Sequence, residues 1–245
     1  MKDMKWEPDN FELELNTVWH FPNRGNWATH DAKYRGNWSP YIPRNIILRY
    51  SSENDFVLDQ FVGGGTTLVE AKLLNRNCIG VDVNDTALAR CAEKCNFERE
   101  NTGLVTIKKG DARKLNFISD GTIDLICTHP PYANIIKYSD NIENDISRCS
   151  VTEYLHKMAA VANECFRVLK KDKFCVILMG DTRQKGHVIP LGFSVMKLFE
   201  STGLKIKEII IKEQFNCSTT GYWKKNSIKY NFLLLAHEYL FVFKK

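Results

Sequence analysis

Two stretches hold residue types whose spacing could do chemistry. The first is His129-Pro130-Pro131-Tyr132, which follows the apolar run 123–127. Consecutive prolines cannot continue a sheet ladder and hold the backbone extended, so the carbonyls around them are exposed and stiffly aimed. Tyr132 adds a flat aromatic face beside those acceptors. As a bare pattern Pro-Pro-Tyr also serves linkers and adaptor ligands; its place at the end of a buried strand argues against that use.

The second is Val57-Leu-Asp-Gln-Phe-Val-Gly-Gly-Gly-Thr-Thr67, an apolar run that ends in Asp59, three consecutive glycines and a threonine pair. Glycines let the backbone turn sharply and approach a ligand, and Thr66 and Thr67 suit the first turn of a helix over 68–74. Glycine turns of this kind serve many ligands and sometimes none. The third glycine of the dinucleotide fingerprint is missing, as are the lysine and length of a phosphate-binding loop, which disfavours a pyrophosphate or triphosphate. Downstream, the strand 78–82 ends in Asp82, at about the separation where a second-strand acid takes ribose hydroxyls. Alone, Asp82 reads equally as a turn acid. Paired with the loop, it favours a nucleoside-bearing cofactor without a phosphate clamp, and S-adenosylmethionine fits that description.

The elements needed to hold these stretches follow from an alternating pattern. A short helical stripe over 44–50 precedes the glycine loop; strand 78–82, a helix over 87–98, strand 104–108 and strand 123–127 follow it. Gly110-Asp111-Ala112 closes the third strand, where Asp111 either faces the exocyclic amine of a bound adenine or merely makes a turn. Ser150-Val-Thr-Glu153 is a capping box for a helix to about residue 169. A strand over 174–179, a helix over 190–199, a strand over 206–212 and a terminal strand over 232–243 complete the chain. Strands alternating with helices predict an α/β fold with a mostly parallel, doubly wound sheet, whose ligands bind beyond the carboxyl ends of the strands. The loop 140–148 is polar and acidic, and no role can be read from it.

Composition sets the bounds. The 245 residues, 44% hydrophobic and 26% charged, can bury one substantial core. No apolar run approaches the ~20 residues that span a bilayer, and the N-terminus lacks a signal-peptide core, so a cytoplasmic protein without membrane contact is expected. The eight cysteines form no Cys-x-x-Cys pair; they read as reduced small hydrophobes, and no metal site is expected. The formal net charge of +5 permits nucleic-acid binding without demanding it. Its distribution is uneven, with two lysines against five acids in residues 1–16 and six lysines against two acids in 205–230. Segment 214–230, which interleaves lysines with Tyr222 and Trp223, is the candidate nucleic-acid contact loop, its alternative being a solvated hairpin. Residues 1–36 read as an irregular arm anchored by tryptophans that pack on a single domain, 37–245.

Taken together, the two motifs resemble those of S-adenosylmethionine-dependent DNA amino-methyltransferases, which methylate the exocyclic amine of adenine or cytosine. Asp59-x-Phe61-x-Gly63-x-Gly65-Thr66-Thr67 is similar to that family's cofactor motif, and His129-Pro130-Pro131-Tyr132 to its catalytic tetrapeptide. Ser39-Pro-Tyr-Ile-Pro-Arg-Asn-Ile-Ile-Leu-Arg-Tyr50 resembles the helix that precedes the cofactor motif, and Glu238-Tyr-Leu-Phe-Val-Phe-Lys244 the closing antiparallel strand. The resemblance implies a Rossmann-like class I methyltransferase fold. It also implies a cofactor site built from Asp59, Phe61, Gly63, Gly65, Thr66, Thr67, Asp82 and Asp111, and a target base flipped onto Tyr132. Gln60 stands where the family usually has proline, and His129 where it has Asp, Asn or Ser. With no large insertion for target recognition, DNA specificity is expected from residues 1–40, from 214–230 or from a partner subunit. Methylation of an RNA base or a protein amide, or a non-catalytic nucleic-acid-binding subunit, are the competing readings.

Overall fold

The computed structural model describes residues 4–34, 36–133, 144–215 and 220–245. Asn134, the start of the acidic loop 140–148 and Cys217 therefore lie outside the described residues. The N-terminal segment contributes one short strand, β1 (Val18–Trp19), followed by helix α1 (Tyr41–Tyr50). Then come β2 (Phe56–Asp59), α2 (Thr66–Leu73), β3 (Asn77–Asp82), α3 (Asp85–Cys95), β4 (Val105–Lys109) and β5 (Ile123–Thr128). The second half holds α4 (Val151–Val168), β6 (Leu169–Met179), β7 (Thr182–Gln184), β8 (His187–Ile189), α5 (Leu191–Ser201), β9 (Lys205–Glu213), α6 (Thr220–Lys229) and β10 (His237–Lys244).

The main sheet runs β1-β9-β10-β6-β5-β2-β3-β4. Strands β2 to β6 pair in parallel, whereas β10 is antiparallel to both β6 and β9. This is the Rossmann-like arrangement with an antiparallel terminal strand. Strand order reverses between β2 and β5, which opens a crevice at their carboxyl ends. All six residues of β5 are buried, as a central parallel strand covered on both faces requires. On β10, Phe241 and Phe243 pack with Tyr154 and Met158 of α4, while Leu240 and Val242 pack with Ile46 and Ile47 of α1. The period of two along the strand thus feeds two cores, one per face.

Several elements differ from the sequence reading. The capping box at Ser150 and Glu153 is present, but β6 starts at Leu169, before the apolar run, through Asp172 in the left-handed region (φ 63°). A hairpin, β7–β8, turns through Lys185 and Gly186, both with positive φ. The segment expected as a contact loop contains helix α6, and the terminal strand begins at His237, not 232.

The N-terminal segment is largely irregular, yet it is bound into the core. Trp19 and Trp27 are buried, and β1 extends the sheet beside β9. Beneath it the fully buried Glu70 of α2 accepts hydrogen bonds from Trp27 Nε1 (2.7 Å), His30 Nε2 (2.7 Å) and Arg44 (3.0 Å). Arg44 also pairs with Glu7, which in turn holds Arg99. None of the helices among the described residues is long and apolar enough to cross a membrane.

Candidate active site

Strand β2 delivers Asp59 into the interior, where its carboxylate ties three elements together. Oδ1 accepts from Thr128 Oγ1 at the end of β5 (2.7 Å) and from the Phe61 amide (3.1 Å), and Oδ2 accepts from Thr67 Oγ1 in α2 (2.6 Å). Thr128 immediately precedes His129, so this one acid couples the glycine loop to the proline motif. Burial pushes its carboxyl up to about 6 against the pull of those hydrogen bonds.

The glycine loop is fixed from both ends. Gly63 N donates to Asp82 Oδ2 and Asn84 N to Oδ1, both at 3.0 Å. Burial also raises the Asp82 carboxyl, opposed by these amide bonds. Gly65 has φ 82°, and a Cβ there would lie 2.8 Å from Cys91 Sγ. On the other side Tyr34 lies so close that a Cβ on Gly63 would come within 2.9 Å of its ring and one on Gly64 within 2.9 Å of its Cβ. Thr66 Oγ1 donates to Asn37 Oδ1 at 2.5 Å, drawing the segment before α1 onto the loop.

These elements enclose a cleft of about 850 Å³, counted to its open mouth. Asp59, Phe61, Gly63, Asp82 and Asp111 line it from the cofactor side, and His129 and Pro131 from the proline side. Gly65, Thr66 and Thr67 do not line it; they hold the loop from behind. Pro130 and Tyr132 stand beside it. Gln60, at the family's proline position, is buried and donates through Nε2 to Cys165 Sγ (2.9 Å). Asp111 is engaged by Arg113, whose guanidinium and backbone amide both bond its carboxylate. Although burial opposes it, that pairing holds the Asp111 carboxyl below the ordinary range.

His129 is half-buried. Its ring stacks on Trp38, with centroids 5.5 Å apart, and Nε2 lies 3.0 Å from the Tyr132 hydroxyl. That hydroxyl donates to Glu238 Oε1 (2.8 Å), and Lys212 Nζ donates to Glu238 Oε2 (2.9 Å). Burial pushes the imidazole down to about 4, with Glu238 raising it and Lys212 lowering it. Tyr34, Asn37, Trp38, Arg113, Glu238 and Lys212 were not singled out from sequence as site residues. Asn37 and Trp38 adjoin the stretch that resembles the preceding helix, and Glu238 opens the stretch that resembles the closing strand; Tyr34, Arg113 and Lys212 had no such signal. Among the described residues no cluster of His, Cys, Asp or Glu could hold a metal ion.

The fold is the Rossmann-like one of S-adenosylmethionine-dependent methyltransferases. A solved structure of such an enzyme from Methanosarcina mazei superposes with a TM-score of 0.57 at 16% identity, over 82% of this chain and 96% of that one. The model of the DNA methylase family matches residues 2–93 and 123–245, and the chain belongs to that family. An RMKL-like methyltransferase domain also matches residues 48–149. Among curated relatives, the Type II methyltransferase M1.MboII of Moraxella bovis is 37% identical over 102 residues, covering 38% of this chain and 36% of that protein. Type II methyltransferase M.HpaI of Haemophilus parainfluenzae is 33% identical over 146 residues, covering 58% and 45%. The matches thus span less than half the length of these relatives.

The cleft fits the family's cofactor, S-adenosylmethionine. Among the described residues, Asp59, Asp82, Asp111 and Asp145 line it against one lining cation, Arg113, which Asp111 already engages. An acidic lining suits a sulfonium cation and a ribose better than a nucleotide phosphate, which calls for a cationic clamp.

Proposed function

We propose that the protein transfers a methyl group from S-adenosylmethionine to the exocyclic amine of adenine or cytosine in DNA. The observation that carries this reading is the meeting of His129 and Pro131 with Gly63, Asp82 and Asp111 around one cleft at the strand-order switch. Asp82 binds the ribose hydroxyls, Asp111 faces the adenine of the cofactor, and Phe61 with the glycine loop forms its bed. The cofactor supplies an electrophilic methyl on sulfur. Every other part of the task falls to the chain.

A base within a duplex is out of reach of the cleft, so it is flipped out and stacked on Tyr132, at a cost of a few kcal/mol. Its amino group donates to the Pro130 carbonyl and to His129, which aims the nitrogen lone pair and supplies rate by positioning. Nucleoside analysis of DNA methylated in vitro identifies the base; N6-methyladenine or N4-methylcytosine is the expected product, and a ring-carbon methyl excludes the reading.

His129 accepts that bond only when neutral. Since its protonation in the folded protein occurs near 4, below the usual 6.5, the acceptor is present above about pH 4 and is lost as pH falls through it. The rate should show no loss attributable to His129 between pH 8 and 5. A fall near pH 6.5 that disappears in His129→Asn contradicts this assignment.

Helix α6 presents Lys224, Lys225, Tyr222 and Trp223, all exposed, and is the DNA-contacting element. Changing both lysines to glutamate should weaken DNA binding and make the dependence of log K on log[salt] shallower by about 2, near 0.9 per lost phosphate contact. An unchanged slope in a binding titration across salt concentrations removes α6 from the interface.

A further inference from the structure

The target amine needs an acceptor on His129, and a neutral imidazole offers only one; which nitrogen it is depends on where the ring proton sits. Resting on the function proposed above, we propose that Glu238, held by Lys212, is a positioning residue that works through Tyr132. It keeps the proton of His129 on Nε2 and leaves Nδ1 as the acceptor for the target amine.

The direction of the hydrogen bonds follows from donor counting. Lys212 Nζ is donor-only and lies 2.9 Å from Glu238 Oε2, a pairing that keeps the carboxylate ionised in its buried position. An ionised carboxylate accepts and does not donate, so the single proton of the Tyr132 hydroxyl goes to Oε1 at 2.8 Å. The Tyr132 oxygen is then an acceptor toward His129, and the 3.0 Å contact requires Nε2–H. The lone pair is left on Nδ1 of a ring that lines the cleft.

The fold builds this chain deliberately. Glu238 and Lys212 are directly opposite each other on β10 and β9. Gly180, just past β6, leaves room for the contact: a Cβ there would come within 2.9 Å of the Tyr132 ring and 3.4 Å of Glu238 Cγ. Trp38 stacks on the imidazole and fixes its plane. Among the described residues, the charged and titratable groups facing His129 are Tyr132 from its own turn, Glu238 from β10 and, behind it, Lys212 from β9.

Glu238→Gln reverses the chain, since its amide can donate to the Tyr132 oxygen, whose proton then turns to Nε2 and forces the ring proton onto Nδ1. Tyr132→Phe deletes the hydroxyl link while leaving the Glu238–Lys212 pair intact, so it serves if Glu238→Gln folds poorly. The test is a long-range ¹⁵N–¹H spectrum of histidine-labelled protein, with His129 assigned by comparison with His129→Asn, alongside methyl-transfer kinetics on DNA. The expected result is Nε2–H alone in the unaltered protein, a switch to Nδ1–H in Glu238→Gln, and a mixture of both tautomers in Tyr132→Phe. With Glu238→Gln, kcat should fall about 10- to 100-fold, as when an orienting partner of a metal-bound histidine is lost, and S-adenosylmethionine affinity should stay within about twofold. Glu238→Asp should recover part of kcat. Nδ1–H in the unaltered protein, or an unchanged tautomer or kcat in Glu238→Gln, overturns the inference. Should the unaltered protein bind the cofactor and methylate no DNA, the proposed function falls, while the spectrum still decides the tautomer on its own.

Discussion

Replacing His129 with alanine should slow methyl transfer by about 100- to 1,000-fold while cofactor affinity stays within about twofold. Removing one preorganised hydrogen-bonding group at a reacting centre typically costs this much. The substitution deletes the side-chain acceptor for the target amine and leaves only the Pro130 carbonyl to orient it. It also removes the ring that stacks on Trp38 and bonds the Tyr132 hydroxyl through Nε2. The cofactor side should be spared, because Gly63, Asp82 and Asn84 hold one another independently of His129. His129→Asn, which restores a residue type usual in the family, keeps a carbonyl acceptor and should recover activity to within about tenfold. Single-turnover rates and calorimetric cofactor titrations check both variants; equal inactivity of the asparagine and alanine forms would show that acceptance of a hydrogen bond is not what position 129 contributes.

Glu70→Ala should be the most destabilising single change away from the cleft, by about 3–5 kcal/mol, the range for removing one partner of a buried ion pair. Glu70 is fully buried and meets Trp27, His30 and Arg44 at once. Its loss leaves Arg44 without its interior partner and two ring N–H donors without an acceptor. Because Trp27 and His30 belong to the N-terminal segment, that segment should loosen first. It carries Tyr34, Asn37 and Trp38 to the cleft, so cofactor affinity should fall with stability. Urea unfolding measures the first effect and cofactor titration the second; a loss below about 1 kcal/mol would mean that the network is not what binds this segment to the domain.

The parts of the site that were legible in the sequence are local. A glycine loop between a strand and a helix, an acid closing the next strand, and two prolines after an apolar run each announce themselves within a dozen residues. The parts that were not legible are made by distant residues. Tyr132 and Glu238 are 106 positions apart, and Glu238 reads only as part of the closing strand until β10 and β9 are in register. Glu70 lies in a helix whose surface or buried status no local pattern decides, and its partners come from an irregular segment without periodicity. Helix α6 escaped because its glycine and weak apolar stripe resemble a loop; its identity as a helix depends on surroundings. The roles of Thr66 and Thr67 show the converse: the motif was found, but both side chains turn to Asn37 and Asp59.

The central claim is that this cleft methylates a base amine in DNA. Its most direct test is transfer of a labelled methyl group from S-adenosylmethionine to unmethylated double-stranded DNA, run beside transfer RNA and bulk protein, with Tyr132→Ala as the control. The account predicts label in DNA alone, recovered as N6-methyladenine or N4-methylcytosine, and absent with the variant. Label in RNA or protein with none in DNA, from a preparation that binds the cofactor, would contradict it.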